Sequence, residues 1–109
     1  MQNKKFIRAV LDEDAIICEF ECTLGNDCYS SDYAVGKNWF DLMIDTSDYA
    51  KVMKVFQSLI NGDDKEWETF ANDIKCRRGT HMLIDFKNCI EIREGKKYLV
   101  TVGTEHYLS

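Results

Sequence analysis

The chain has 109 residues, with 14 Lys and Arg against 19 Asp and Glu, five Cys and no Pro. That length fits one domain around one hydrophobic core, and 45% apolar with 30% charged residues excludes a disordered chain. No stretch approaches the ~18 apolar residues of a membrane span, and a net charge of −5 without a basic stripe argues against nucleic acid as a partner.

The start, MQNKKFIRAV, lacks an apolar run of signal-peptide length, so the expected setting is cytoplasmic. Phe6 to Leu11 and Ala15 to Phe20 are short apolar runs separated by the acidic cluster Asp12-Glu13-Asp14, which reads as a β-hairpin with a solvated turn. From Cys22 to Val35 the breakers Gly25-Asn26-Asp27 and Ser30-Ser31-Asp32 leave room only for one-turn helices. Gly36 to Ile44 reads as a further short helix. A longer helix follows Asp45, with Thr46 or Ser47 as its N-cap. Its Val52, Val55, Phe56, Leu59 and Ile60 recur at i, i+3, i+4, i+7 and i+8, one buried stripe, and Asn61-Gly62 stops it.

The period then changes. Trp67 to Cys76, His81 to Arg93 and Lys96 to His106 are extended runs joined by Arg77-Arg78-Gly79-Thr80 and by Glu94-Gly95. Connections this short force antiparallel neighbours. Two strands, helices, then three strands define an α+β domain with the helices on one face of an antiparallel sheet. The five cysteines, Cys18, Cys22, Cys28, Cys76 and Cys89, match no common zinc spacing, and an odd count leaves one thiol over in any full disulfide set. They read as reduced core residues, with Cys28 the one expected to be exposed, and no metal site is expected. Asp12-Glu13-Asp14 and Asp63-Asp64 have no acid/base or ligand spacing, and neither a Gly-x-Ser-x-Gly elbow nor a phosphate loop is present, so no catalytic residue is assigned.

The element order, with GKNWFDLMI before the long helix and IKCRRGTHMLIDFKNCIEIREGKKYLVTVGTEH after it, resembles the PAS sensory domain over about residues 6–106 of a single 1–109 domain. The resemblance implies a five-stranded antiparallel sheet of order 2-1-5-4-3, with short helices and one longer helix enclosing a cavity on one face. It implies a sensory module of a signalling protein, typically bacterial, that binds a small molecule and signals through dimerisation. The alternative is a ligand-free dimerisation or interaction module. Within that family the flavin-type reactive cysteine would follow Gly-x-Asn, where this chain has Trp39, and the flavin-binding amide positions are Ile74, Ile84 and Gly103. The haem-type axial His is missing from residues 36–62. Flavin and haem are therefore not expected, and no cofactor is assigned. Many members end in Gly-x-Asp-Ile-Thr, which couples to a downstream signalling domain; here Gly103-Thr104-Glu105-His106-Tyr107 keeps the acid but not the Thr.

Alternation and the helix stripe point Trp39, Met43, Val52, Phe56, Leu59, Asn72, Ile74, Ile84, Phe86, Asn88, Thr101 and Gly103 into the expected cavity, a mostly apolar set with few polar groups. The competing reading fills the same space with these side chains and satisfies the Asn amides on nearby backbone. Tyr98, Val100 and Val102 fall on the opposite face, expected to pair two copies of the chain, with Phe6 and Ile7 as partial cover.

Overall fold

The computed structural model describes residues 5–25, 27–62 and 68–106. The Asp63-Asp64 pair, the expected strand start at Trp67 and the departure at Tyr107 lie outside them. Strands β1 (Ile7–Leu11) and β2 (Ile17–Cys22) form the first hairpin. Helices α1 (Ser31–Ala34), α2 (Trp39–Met43) and α3 (Tyr49–Ile60) follow, and then β3 (Thr69–Lys75), β4 (His81–Arg93) and β5 (Lys96–Glu105). All five strands join one sheet of order β2-β1-β5-β4-β3, with every pairing antiparallel. The two ends of the chain therefore meet at its centre, where β1 pairs with β5 from Ile7↔Gly103 to Leu11↔Leu99.

Turn chemistry sets the hairpins. The carboxylate of Asp12 accepts from the amides of Asp14 and Ile16 at 2.9 and 3.0 Å, and Ala15 takes φ 63° to close the turn. Glu94 and Gly95 both have positive φ, 51° and 79°, the two-residue turn whose twist matches paired strands. The long helix ends as its sequence suggests, with Gly62 at φ 94° and its amide on Leu59 O. Its start differs. Thr46–Asp48 form a 3-10 turn capped by Asp45, whose carboxylate accepts from Ser47 N, so neither Thr46 nor Ser47 caps α3.

The first hairpin also places α2. Trp39 N donates to Ala15 O at 2.9 Å and Ile17 N to Lys37 O at 2.8 Å, while Asn38 caps α2 by accepting from Phe40 N at 2.8 Å. The inner sheet face and the helices enclose a core that includes Ile7, Ala9, Leu11, Phe40, Ile44, Leu59 and Ile84. Ile7 belongs to this interior and is fully buried there, so it gives no cover to the outer face. That face carries an ion-pair network instead. Glu19 accepts from Arg8 at 3.1 Å and from Arg93 at 2.6 Å, Arg93 also pairs with Glu91 at 2.7 Å, and its guanidinium lies 5.6 Å from the Tyr98 ring centroid.

The cysteines depart from the expected reduced set. Cys22 and Cys28 form a disulfide, with Cα atoms 5.9 Å apart, because the chain folds back directly after β2. Cys28 is thus half-buried, and the exposed thiols are Cys18 and Cys89. Cys76 is buried, and burial pushes its thiol above the ordinary value, so it packs as a neutral apolar group.

Candidate functional site

An interior cavity of about 40 Å³ lies between the sheet and the helices. By the usual measure that is room for about three waters. Trp39 and Phe40 of α2 and Val52, Val55, Phe56 and Leu59 of α3 form its roof. Leu11 of β1, Phe70 and Asn72 of β3, Phe86 and Asn88 of β4, and Leu99 and Thr101 of β5 form its floor. The aromatic walls brace one another edge to face: Trp39 on Phe86 at 6.0 Å and Phe40 on Phe56 at 5.8 Å between ring centroids. Tyr49 stacks edge-on against Phe40 and donates to the Asp41 carboxylate at 2.8 Å, which ties the start of α3 to α2.

Among the described residues the lining contains no charged side chain. Its polar groups come from three adjacent strands and share one side of the cavity. Asn88 and Thr101 face each other across β4 and β5, and the Thr101 hydroxyl donates to Asn88 Oδ1 at 2.6 Å. Asn72 on β3 is buried and donates to Asp73 O at 3.0 Å. A buried hydroxyl, a buried amide and a half-buried one can exchange hydrogen bonds with a neutral polar group, while a bare charge here would meet no counter-ion among the described lining residues.

Eight of the residues expected from sequence meet at this cavity: Trp39, Val52, Phe56, Leu59, Asn72, Phe86, Asn88 and Thr101. Met43, Ile74, Ile84 and Gly103 do not line it, although Met43, Ile74 and Ile84 are deeply buried. The reason for three of them is close packing at one end of the inner face. A Cβ on Gly103 would stand 2.8 Å from two ring carbons of Phe86 and closer still to Ile84 Cγ2, so these two side chains lie directly over the glycine and leave no space. Ile74 is buried on the same inner face, two residues beyond the Asn72↔Ile84 pair in the β3–β4 register. Leu11, Phe40, Val55, Phe70 and Leu99 line the cavity without having been singled out. Strand parity could have found three of them: Leu11 follows Ile7 and Ala9, Phe70 precedes Asn72, and Leu99 precedes Thr101 on the same faces.

The two His side chains sit away from the cavity at strand ends. His81 pairs with Asp73 and lies 3.7 Å from Asp45, and His106 lies 2.8 Å from Asp85. On the outer face Val102 and Leu83 are 37% and 42% exposed, whereas Val10 is fully buried.

Searches with the sequence found no matching family model and no matching curated protein. The fold itself is matched closely. The PAS domain of the Cronobacter turicensis RpfR quorum-sensing receptor in complex with BDSF aligns over 98% of this chain and 99% of its own, with a TM-score of 0.72 at 17% identity. In complex with C12:0 the same domain gives 0.73 at 16% identity, over 98% and 99%. A PAS domain from Desulfitobacterium hafniense gives 0.77 at 9% identity, covering 94% of this chain and 93% of its own. The chain folds as a PAS domain, with the expected 2-1-5-4-3 sheet. The two RpfR structures hold small molecules, BDSF in one and C12:0 in the other. Among the described residues no helix is long and apolar enough to cross a membrane.

Proposed function

We propose that this domain is a cytoplasmic sensory module that binds an uncharged, mostly apolar small molecule with one hydrogen-bonding head. The single observation carrying this reading is the polar group of buried Asn72 and Thr101 with half-buried Asn88, gathered on one side of a cavity whose other described lining residues are apolar. The RpfR neighbour holds C12:0, a fatty-acid ligand, and a body of that kind suits the roof of Val52, Val55, Phe56 and Leu59. A cavity of 40 Å³ is smaller than such a ligand, so entry requires the aromatic walls Trp39, Phe40 and Phe56 to move apart. That movement of α2 and α3 against the sheet is the signal passed to a downstream domain. No catalytic step is assigned.

Amide chemical shifts recorded during titration with aliphatic alcohols of increasing length test this. Shifts centred on Asn88, Thr101 and α3, with affinity rising with chain length until the cavity is filled, are expected. Shifts confined to the outer face, or none at any length, would remove the reading. Native mass spectrometry of freshly purified protein identifies a retained ligand directly.

The exposed Val102 and Leu83 favour a second function, pairing of two copies through the outer face, with or without a ligand. A specific dimer would bury roughly 1,200–2,000 Å². Sedimentation should then show a dimer that Val102→Glu dissociates; a strict monomer at high concentration rules this pairing out.

A further inference from the structure

The segment after β2 is a second place where the chain is built for more than connection. β2 and β3 are opposite edges of the sheet, yet the loop between Cys22 and Cys28 reaches the β3–β4 turn. Asp27 makes the contact. Its backbone oxygen accepts from Arg77 N at 3.1 Å, and its Oδ1 accepts from Arg78 N at 2.8 Å. The other carboxylate oxygen, Oδ2, is buried and has no hydrogen-bond partner among the described residues. A buried oxygen left without a partner opposes docking. The disulfide offsets this by closing the loop beside Asp27, which lowers the conformational entropy lost on docking. Both cysteines also line an open surface cleft together with Tyr29, Ser30, Tyr33 and Arg77.

We propose that Cys22–Cys28 is a reversible thiol–disulfide site, reached through this cleft by a dithiol reductant, whose state latches or releases the loop at the β3–β4 turn. A thiolate of the reductant attacks one sulfur and displaces the other as a thiolate, forming a mixed disulfide. The second thiol of the reductant then resolves it. In the sum two electrons and two protons pass to the protein, which gains two thiols, and the reductant leaves as its disulfide. In a reducing compartment, disulfides of mesophilic proteins are usually transient and redox-sensing, which is the behaviour assigned here. The reduced loop loses its closure, Asp27 undocks, and the Arg77 and Arg78 amides become open to water. The buried Cys76 thiol takes no part.

The test compares the full chain before and after dithiothreitol under native conditions, by alkylation mass and amide exchange. Alkylated in denaturant after the native incubation, so that the buried Cys76 also reacts, the oxidised protein should show three modified thiols and the reduced one five. On reduction the Arg78 amide should exchange roughly tenfold faster, the loss of about one hydrogen bond, while β4 and β5 amides keep their protection; reoxidation should restore the slow rate. Cys22→Ser with Cys28→Ser should exchange fast at Arg78 in either condition. Asp27→Ala should do so while its thiol count still switches. Equal Arg78 rates in the two wild-type states, a bond that resists the reagent in the folded protein, or loss of protection throughout β4 and β5 would each overturn the proposal. The last result would make the disulfide a structural staple.

Discussion

Along β4 and β5, Phe86, Asn88, Leu99 and Thr101 turn inward to helices and cavity, whereas Lys87, Cys89, Val100 and Val102, one residue away on the same strands, lie on the outer face. Among the described residues the inner face carries no charge at the cavity, and close packing and a cross-strand hydroxyl–amide bond hold it. The outer face is held at one end by Arg8, Glu19, Glu91 and Arg93 and leaves Val102 and Leu83 partly open. With a side-chain period of two, a displacement felt inside is carried by the same backbone to the outside. The comparison teaches that substitutions on the two faces should differ in both size and kind of effect.

The largest effect is expected inside. Phe56→Ala removes a ring packed against Phe40, and should lower stability by about 3–5 kcal/mol in urea unfolding; a loss near that of a surface change would show a loosely filled interior. Gly103→Ala should cost about 1–3 kcal/mol, because its new methyl meets Ile84 and the Phe86 ring rather than open space. A neutral result there would mean that these side chains can withdraw. Thr101→Val keeps the shape but removes the 2.6 Å hydrogen bond to Asn88 Oδ1, at a cost of roughly 0.5–1.5 kcal/mol, and should weaken ligands with a polar head more than purely apolar ones.

The smallest effect is expected outside. Hydrogen bonds from Arg93 and then Arg8 hold the Glu19 carboxyl below its ordinary value. Its contribution to stability is therefore complete above the unfolded-state pKa and is lost as pH falls through the lower folded-state value. Glu19 is 43% exposed at its side chain, so solvent screens the pair and the neutral-pH difference is small. The difference in unfolding midpoint between wild type and Glu19→Gln should be steady at neutral pH and close as the solution is acidified below about pH 4. A difference that instead widens in acid would show that the network does not favour the charged carboxylate.

Much of this architecture could be read from residue order. The 3.6-residue stripe of α3, the Gly62 stop, the two short connections among β3, β4 and β5, and the alternation in β4 are local signals, and each reappears in the fold. The cavity was legible only in part. Alternation tells which face a side chain takes but not where along that face packing is tight, so Ile84 and Gly103 share the cavity's side of the sheet yet lie where no space remains. The roof was harder still. Phe40 reaches the cavity because α2 is pinned to the first hairpin through Trp39 N on Ala15 O, a contact between segments that no local pattern signals.

By itself the sequence determined the elements and their polarity: where strands alternate, and where the long helix buries its stripe. These follow from backbone stereochemistry and side-chain solubility, which act over a few neighbouring residues. Only the tertiary structure decided that Cys22 meets Cys28, that Asp27 spans to the far turn, and that Asn88 and Thr101 bond across the cavity floor. Those contacts depend on distances of a few ångströms between residues brought together by folding, and spacing along the chain does not set such distances.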